Sequence, residues 1–415
     1  MPLRKAGANW VDGDRFFNRE VELEMLAERA RDGIHTLLTA PRRMGKTSLV
    51  RESLRRLSKD GEFETIFIDL EDASDPADAI AEIGAQSSSV KGIWDRLRSN
   101  FSNVLKEIGD RVDTIAVPQL QVQLRAGIAA GNQWRKGDEI FSALAECERP
   151  VIIGIDELPI LVNRLLKKNG DAITQEGKQA TDDFLSWLRK NAQKHRGRVI
   201  IILSGSVGLE PILKQAGLSA QVNIYTPFEL KPWSEEIAVS CLAELADAYG
   251  LDLSFEVRKH MCHRLRHHVP HHIQKFFSHM HDYLLRKDRI KASLSDVDEV
   301  YKNEMLSVRG QVDLEHYQVR LRMILGMKEY QTALELLTEA SVSNGVLSDR
   351  AIDKYRKYLE GTAHPDDSPI VLEDILYLLE HDGYLERQKD YYEFTSELIK
   401  DWWRARFGQH FVSLQ

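Results

Sequence analysis

The sequence has few cysteines, no long apolar run and no surplus of positive charge. Cys147, Cys241 and Cys262 are the three thiols in 415 residues. Three cannot all pair, so no disulfide framework is expected and a reducing cytoplasm fits. The apolar stretches are strand-length, far short of the roughly 18 residues a membrane-spanning helix needs. Met1 to Lys5 also lacks the apolar stretch of a secretory signal, so no membrane partner is expected. Lys and Arg number 56 against 64 Asp and Glu, a formal charge of −8, which argues against a protein that coats nucleic acid by bulk electrostatics. What is present is 43% hydrophobic residues, enough in a chain of this length for two or three cores.

Residues 36 to 50 read Thr-Leu-Leu-Thr-Ala-Pro-Arg-Arg-Met-Gly-Lys-Thr-Ser-Leu-Val: a short apolar strand, a tight loop, then an amphipathic helix opening at Gly45-Lys46-Thr47. That order suits a loop that wraps phosphate. Its candidate nucleotide contacts are Ala40, Pro41, Arg42, Arg43, Met44 and Gly45, followed by Lys46, Thr47 and Ser48. Backbone N–H groups and the positive helix end surround the phosphate, Lys46 adds a mobile cation, and the Thr47 hydroxyl is a candidate Mg²⁺ ligand. Ala40 stands where the pattern G-x-x-x-x-G-K-[ST] has its first glycine. A small residue at a strand end can take the required backbone angles, so the change is expected to be tolerated.

A partner for that loop lies further along. Residues 151 to 157, Val-Ile-Ile-Gly-Ile-Asp-Glu, are a buried-strand pattern ending in two carboxylates. In a parallel sheet the carboxyl ends of strands face the ligand crevice, so Asp156 is expected in the Mg²⁺ shell and Glu157 beside the attacking water. Residues 199 to 206, Val-Ile-Ile-Ile-Leu-Ser-Gly-Ser, form a second such strand ending in hydroxyls, which places Ser204 or Ser206 where the presence of a γ-phosphate is sensed. A turn that only caps the strand is the alternative. Thr65 to Leu70 reads as a third strand, with Asp69, Glu71 and Asp72 at its end.

On these residues the sequence resembles the archaeal-type ATPases, P-loop NTPases close to the AAA+ and STAND proteins. The resemblance rests on Phe16-Phe17-Asn18-Arg19-Glu20-Val21-Glu22-Leu23, Pro41-Arg42-Arg43-Met44-Gly45-Lys46-Thr47, Ile155-Asp156-Glu157 and Leu203-Ser204-Gly205-Ser206. Pro227 to Trp233 and His268-Val269-Pro270 look like the family's lid segments. His268 departs from the pattern, because a glycine commonly precedes the lid proline. The likeness covers roughly the first three hundred residues. It implies an α/β fold, a parallel sheet flanked by helices and followed by a helical lid, with ATP and Mg²⁺ as cofactors. It also implies that Phe17 and Arg19 lie at the base and phosphate side of the nucleotide, and that Lys46, Asp156, Glu157 and Ser204 are catalytic. Arg196 and Arg198 are candidate arginine fingers for a neighbouring copy in a homo-oligomer.

Three parts are expected along the chain: an ATPase core over 1–227 with an insertion at about 73–138, a helical lid over 228–310, and a winged-helix-like domain over 311–415. Helix-forming residues run from Pro76 to Ile108. In Ile115 to Leu124 the alternating apolar positions suggest a β-hairpin with Pro118 at a turn or edge. Strand–helix alternation stops beyond Tyr225. Ser234 and Gly250 then bound the first lid helix. The lid carries eight histidines between His260 and His281 with Cys262 among them; a zinc site, a merely polar surface and a pH response are all open readings. Residues 319 to 380 read as four helices, followed by a two-stranded wing about Lys389-Asp390 and a last helix, Glu397 to Phe407. From 312 onward there are twelve Lys and Arg against nineteen Asp and Glu, a formal charge of −7. That disfavours DNA and leaves a protein partner at least as well supported. The function expected is an ATP-hydrolysing, oligomerising ATPase. A slowly exchanging ADP/ATP switch and a winged-helix DNA adaptor are the alternatives.

Overall fold

The computed structural model describes residues 2–7, 10–90, 93, 96, 99, 117–129, 131–168, 170, 172–307, 312–362 and 372–414. The chain forms two compact units: Arg19–Thr39 with Lys46–Leu230, and Met1–Asn18 with Ala40–Gly45 and Lys231–Gln415.

The first unit is built on five strands, β1 (Thr36–Thr39), β2 (Glu64–Asp69), β3 (Val151–Asp156), β4 (Val199–Leu203) and β5 (Thr226–Glu229). They lie in the order β2-β3-β4-β1-β5, and every pairing is parallel. All six residues of β3 and all five of β4 are buried, which is why both read as unbroken apolar runs: helices cover a parallel sheet on its two faces. One of these, α1 (Glu20–Arg31), precedes β1, and another, α2 (Lys46–Lys59), follows it. Gly154 lets α2 lie close against β3, since a Cβ there would fall 2.7 Å from Val50 Cγ1 and 3.0 Å from Leu54 Cδ1. The fifth strand was not legible in the sequence, where the alternation was read as ending at Tyr225. Only four residues long and bearing Pro227, β5 is an edge strand, the position where a missing N–H costs the ladder least.

The expected insertion follows β2. Helix α3 (Pro76–Ser87) starts on Asp75, whose side chain accepts from Asp78 N at 2.9 Å, with Pro76 in its first turn. Most of the remaining stretch to Ile108 lies outside the described residues. The expected β-hairpin is corrected from Val117 onward, where the chain forms a helix, α4 (Val117–Ala126). Leu120 and Leu124 are one turn apart and buried, whereas Val122 between them is 69% exposed. The alternating letters therefore hid a spacing of four. Arg125 ties α4 to the α3 start, pairing with Asp78 at 2.6 Å and Asp75 at 2.9 Å. Helices α5 (Gln133–Ala145), α6 (Leu158–Leu166), α7 (Gln175–Lys194) and α8 (Leu209–Ala216) complete this unit. Gly137 on α5 meets Trp187 of α7, and a Cβ would sit 2.3 Å from its ring.

Where a helical lid is expected, the second unit contains α9 (Glu235–Tyr249), α10 (Phe255–Leu265), α11 (Pro270–Arg286) and α12 (Leu294–Val300). As expected, Ser234 caps α9 by accepting from Ile237 N, and Gly250 ends it at φ 67°. After these come α13 (Val312–Ile324), α14 (Met327–Val342), β6 (Val346–Ser348), α15 (Asp349–Thr362), α16 (Leu372–His381), β7 (Leu385–Arg387), β8 (Tyr391–Phe394) and α17 (Glu397–Phe407). The three strands form an antiparallel sheet in the order β6-β8-β7. Where a two-stranded wing is expected, the sheet has one strand more, β6. Trp402 and Trp403 are fully buried, and Trp403 Nε1 donates to Thr338 Oγ1 at 3.2 Å. No helix among the described residues is long and apolar enough to cross a membrane.

Candidate active site

The loop between β1 and α2 has two residues with left-handed backbone, Arg43 at φ 68° and Gly45 at φ 90°. Ala40 is not one of the residues with positive φ. An alanine there carries no backbone penalty, and Gly45 is the position at which a side chain would be strained. Met44 is buried, and Lys46 and Ser48, the first and third residues of α2, are 7% and 8% exposed.

At the tips of β3 and β4 the polar groups of the first unit converge. Asp156 is 2% exposed and Ser204 1%. Thr47 Oγ1 donates to Asp156 Oδ2 at 2.5 Å, and Ser204 Oγ donates to Asp156 Oδ1 at 2.7 Å. Glu157 N also donates to Oδ1, at 3.1 Å. A buried carboxylate is costly unless such donors surround it, and here the backbone and two hydroxyls supply them. The structure thus brings together Thr47, Asp156 and Ser204.

Glu157 leaves the strand at φ 55°, in the left-handed region, and begins α6. Its Oε2 accepts from Ser206 N at 3.0 Å and from Ser206 Oγ at 2.9 Å. Gly205 sits under this pair: a Cβ on it would be 2.4 Å from Pro159 Cδ and 3.6 Å from Glu157 Cα. The Ser-Gly-Ser turn therefore holds Asp156 with one serine and Glu157 with the other. The Glu157–Ser206 bond was not legible in the sequence, because it depends on the left-handed turn at Glu157. Asp69, opposite Asp156 in the β2–β3 register, is a further carboxylate at this edge.

The other expected residues have their own partners. Arg19 is buried at φ 76° and pairs with Glu22 at 2.7 Å; burial lowers its pKa against the opposing effect of Glu22. In the second unit, Phe17 packs edge-on against Trp233, ring centres 5.6 Å apart. Arg198 Nε donates to the Ala145 carbonyl at 2.9 Å and its NH2 group to that of Cys147, a structural use of the guanidinium that does not suit an arginine finger. In the histidine-rich lid, His260 meets Asp298 at 3.1 Å and stacks on His263. No group of three or more His, Cys, Asp or Glu among the described residues is placed to hold a metal ion.

No protein-family model and no curated protein sequence matches this chain. Solved structures do. A Walker-type ATPase of Pyrococcus abyssi is similar over 95% of this chain and 98% of its own, at 16% identity and a TM-score of 0.57. The ORC2 protein of Aeropyrum pernix, solved as ADPNP–ADP complexes, is similar over 95% of this chain and 98% of its own, at 12% identity and a TM-score of 0.54. The fold is that of the P-loop ATPases. At these identities the likeness concerns the fold, and the site has to be argued from its own residues.

Proposed function

We propose that this protein is a Mg²⁺-dependent ATPase of the AAA+/STAND-like kind, which binds and hydrolyses ATP and couples nucleotide state to self-association and to a partner. The observation that carries this reading is that the hydroxyls of Thr47 and Ser204 meet on the two oxygens of one buried carboxylate, Asp156. In the reading, Lys46 and the loop from Ala40 to Ser48 hold the phosphates. Phe17 and Arg19 serve the nucleoside side, and Ser204 senses the γ-phosphate.

Two adjoining hard oxygens, the Thr47 hydroxyl and the Asp156 carboxylate, fit a Mg²⁺ ion, which takes oxygen ligands at close quarters and supplies charge neutralisation to the phosphates. Glu157 orients the water whose oxygen attacks the γ-phosphorus and accepts its proton, while the bond from that phosphorus to the ADP oxygen breaks. The division into core 1–227, lid 228–310 and winged-helix-like domain 311–415 belongs to the same proposal. The formal charge of −7 over 312–415 favours a protein partner over DNA.

The test is ATP turnover by the full chain with and without DNA, alongside light scattering of Glu157→Gln in ATP. Lys46→Ala is expected to lose nucleotide binding. Glu157→Gln is expected to bind ATP and turn over at least about a hundredfold more slowly. Unchanged turnover in both variants refutes the site.

A further inference from the structure

We infer that Ser206 is a positioning residue that restrains Glu157, so that the Ser-Gly-Ser turn sets the basal rate of ATP hydrolysis. The inference rests on the ATPase reading above and adds to it a role for a residue that does not touch the reacting atoms. Both donors of Ser206, backbone N–H and hydroxyl, end on one oxygen of the Glu157 carboxylate, Oε2, at 3.0 and 2.9 Å.

Two consequences follow from elementary chemistry. An oxygen that already accepts two hydrogen bonds has its in-plane lone pairs engaged and is a poor acceptor for a proton from water. Two donors fixed on one turn also hold the carboxylate in one orientation, which sets where a water can meet it. The restraint is stiff as well as specific. Glu157 is fixed at φ 55°, and Gly205 packs so closely on Pro159 that a Cβ at this position would lie 2.4 Å from the ring. The turn and the carboxylate therefore move together. Ser204, two residues earlier, donates to Asp156 at 2.7 Å, so a shift that frees Glu157 also passes through the residue next to the metal-side carboxylate. Anything that displaces the turn couples the two members of the acidic pair.

The experiment compares steady-state ATP turnover of the full-length wild type, Ser206→Ala, Ser206→Thr, Glu157→Gln and the Ser206→Ala/Glu157→Gln double variant. Affinity for a fluorescent ADP analogue and melting temperature are measured in parallel. Ser206→Ala removes one of the two bonds. It is expected to raise kcat roughly three- to tenfold, the size of one net hydrogen bond, with KM and ADP affinity unchanged. Ser206→Thr keeps a hydroxyl and is expected to bring kcat back toward the wild-type value. The double variant is expected to be as slow as Glu157→Gln, because the gain needs the carboxylate. A merely structural role for Ser206 would lower the melting temperature and leave kcat unchanged or reduced, and that result overturns the inference. Slow Glu157→Gln combined with Ser206→Ala no faster than wild type sinks the inference alone, whereas equal turnover in wild type and Glu157→Gln sinks the ATPase site and the inference with it.

Discussion

The two sheets of this protein treat charge in opposite ways. At the ends of β3 and β4, Asp156 and Ser204 are buried and point their polar atoms at one another. In the unit that holds the small antiparallel sheet, exposed charges pair in water: Arg387 with Asp349 at 2.6 Å, Arg356 with Asp353 at 2.5 Å. The ion-pair distances there are as short as the hydrogen bonds at the strand tips. Distance alone does not separate a site from a solvated surface. What separates them is desolvation, which makes an unsatisfied buried group expensive and leaves an exposed pair worth little.

That contrast can be broken by mutation. Asp156→Ala is expected to have the largest effect, a loss of ATP turnover of at least about a hundredfold in a steady-state assay, because it removes the carboxylate proposed to hold Mg²⁺. Gly205→Val comes next. Its side chain meets the Pro159 ring, and denaturant titration is expected to show a loss of about 1–3 kcal/mol, the usual cost of overpacking.

His35 gives a smaller, pH-dependent effect. Its Nδ1 accepts from Ile201 N at 3.1 Å, and burial lowers its pKa. The unfolded chain therefore binds a proton that the folded one refuses. The contribution of His35 to stability is present above its unfolded pKa of about 6.5 and is lost as pH falls through that value toward the lower folded pKa. Melting temperatures measured from pH 8 to pH 5 should fall less steeply in His35→Gln than in the wild type. Arg387→Ala is expected to change stability by less than about 1 kcal/mol, because its partner is exposed. A larger loss would mean that the wing is desolvated by something that binds it.

The parts that were legible in the sequence are those in which one physical demand governs a whole segment. Short apolar runs rich in β-branched residues mark β2, β3 and β4, and Gly45-Lys46-Thr47 marks a loop feeding a helix. Ser234 and Gly250 bounded α9 because caps are local chemistry. Segments serving two demands were misread. In α4, glutamines between apolar residues imitate a strand, and only burial of Leu120 and Leu124 reveals the helical spacing. Strand β5 carries Pro227, which argues against a strand, and the three residues of β6 run straight into α15, so neither segment is set apart by its letters. At the strand tips, Thr47, Asp156 and Ser204 were expected to be polar neighbours, but the tie between Glu157 and Ser206 depends on backbone angles that residue letters do not encode.

The strand order also bears on how the protein is made. β1 hydrogen-bonds only with β4 and β5, Thr36 lying opposite Ile202 and Thr226. A nascent chain thus carries its phosphate loop from early in translation with no ladder to pin it, until more than a hundred and fifty further residues have left the ribosome. The central ladder of the first unit therefore closes late, when β4 and β5 pair with a strand made long before them.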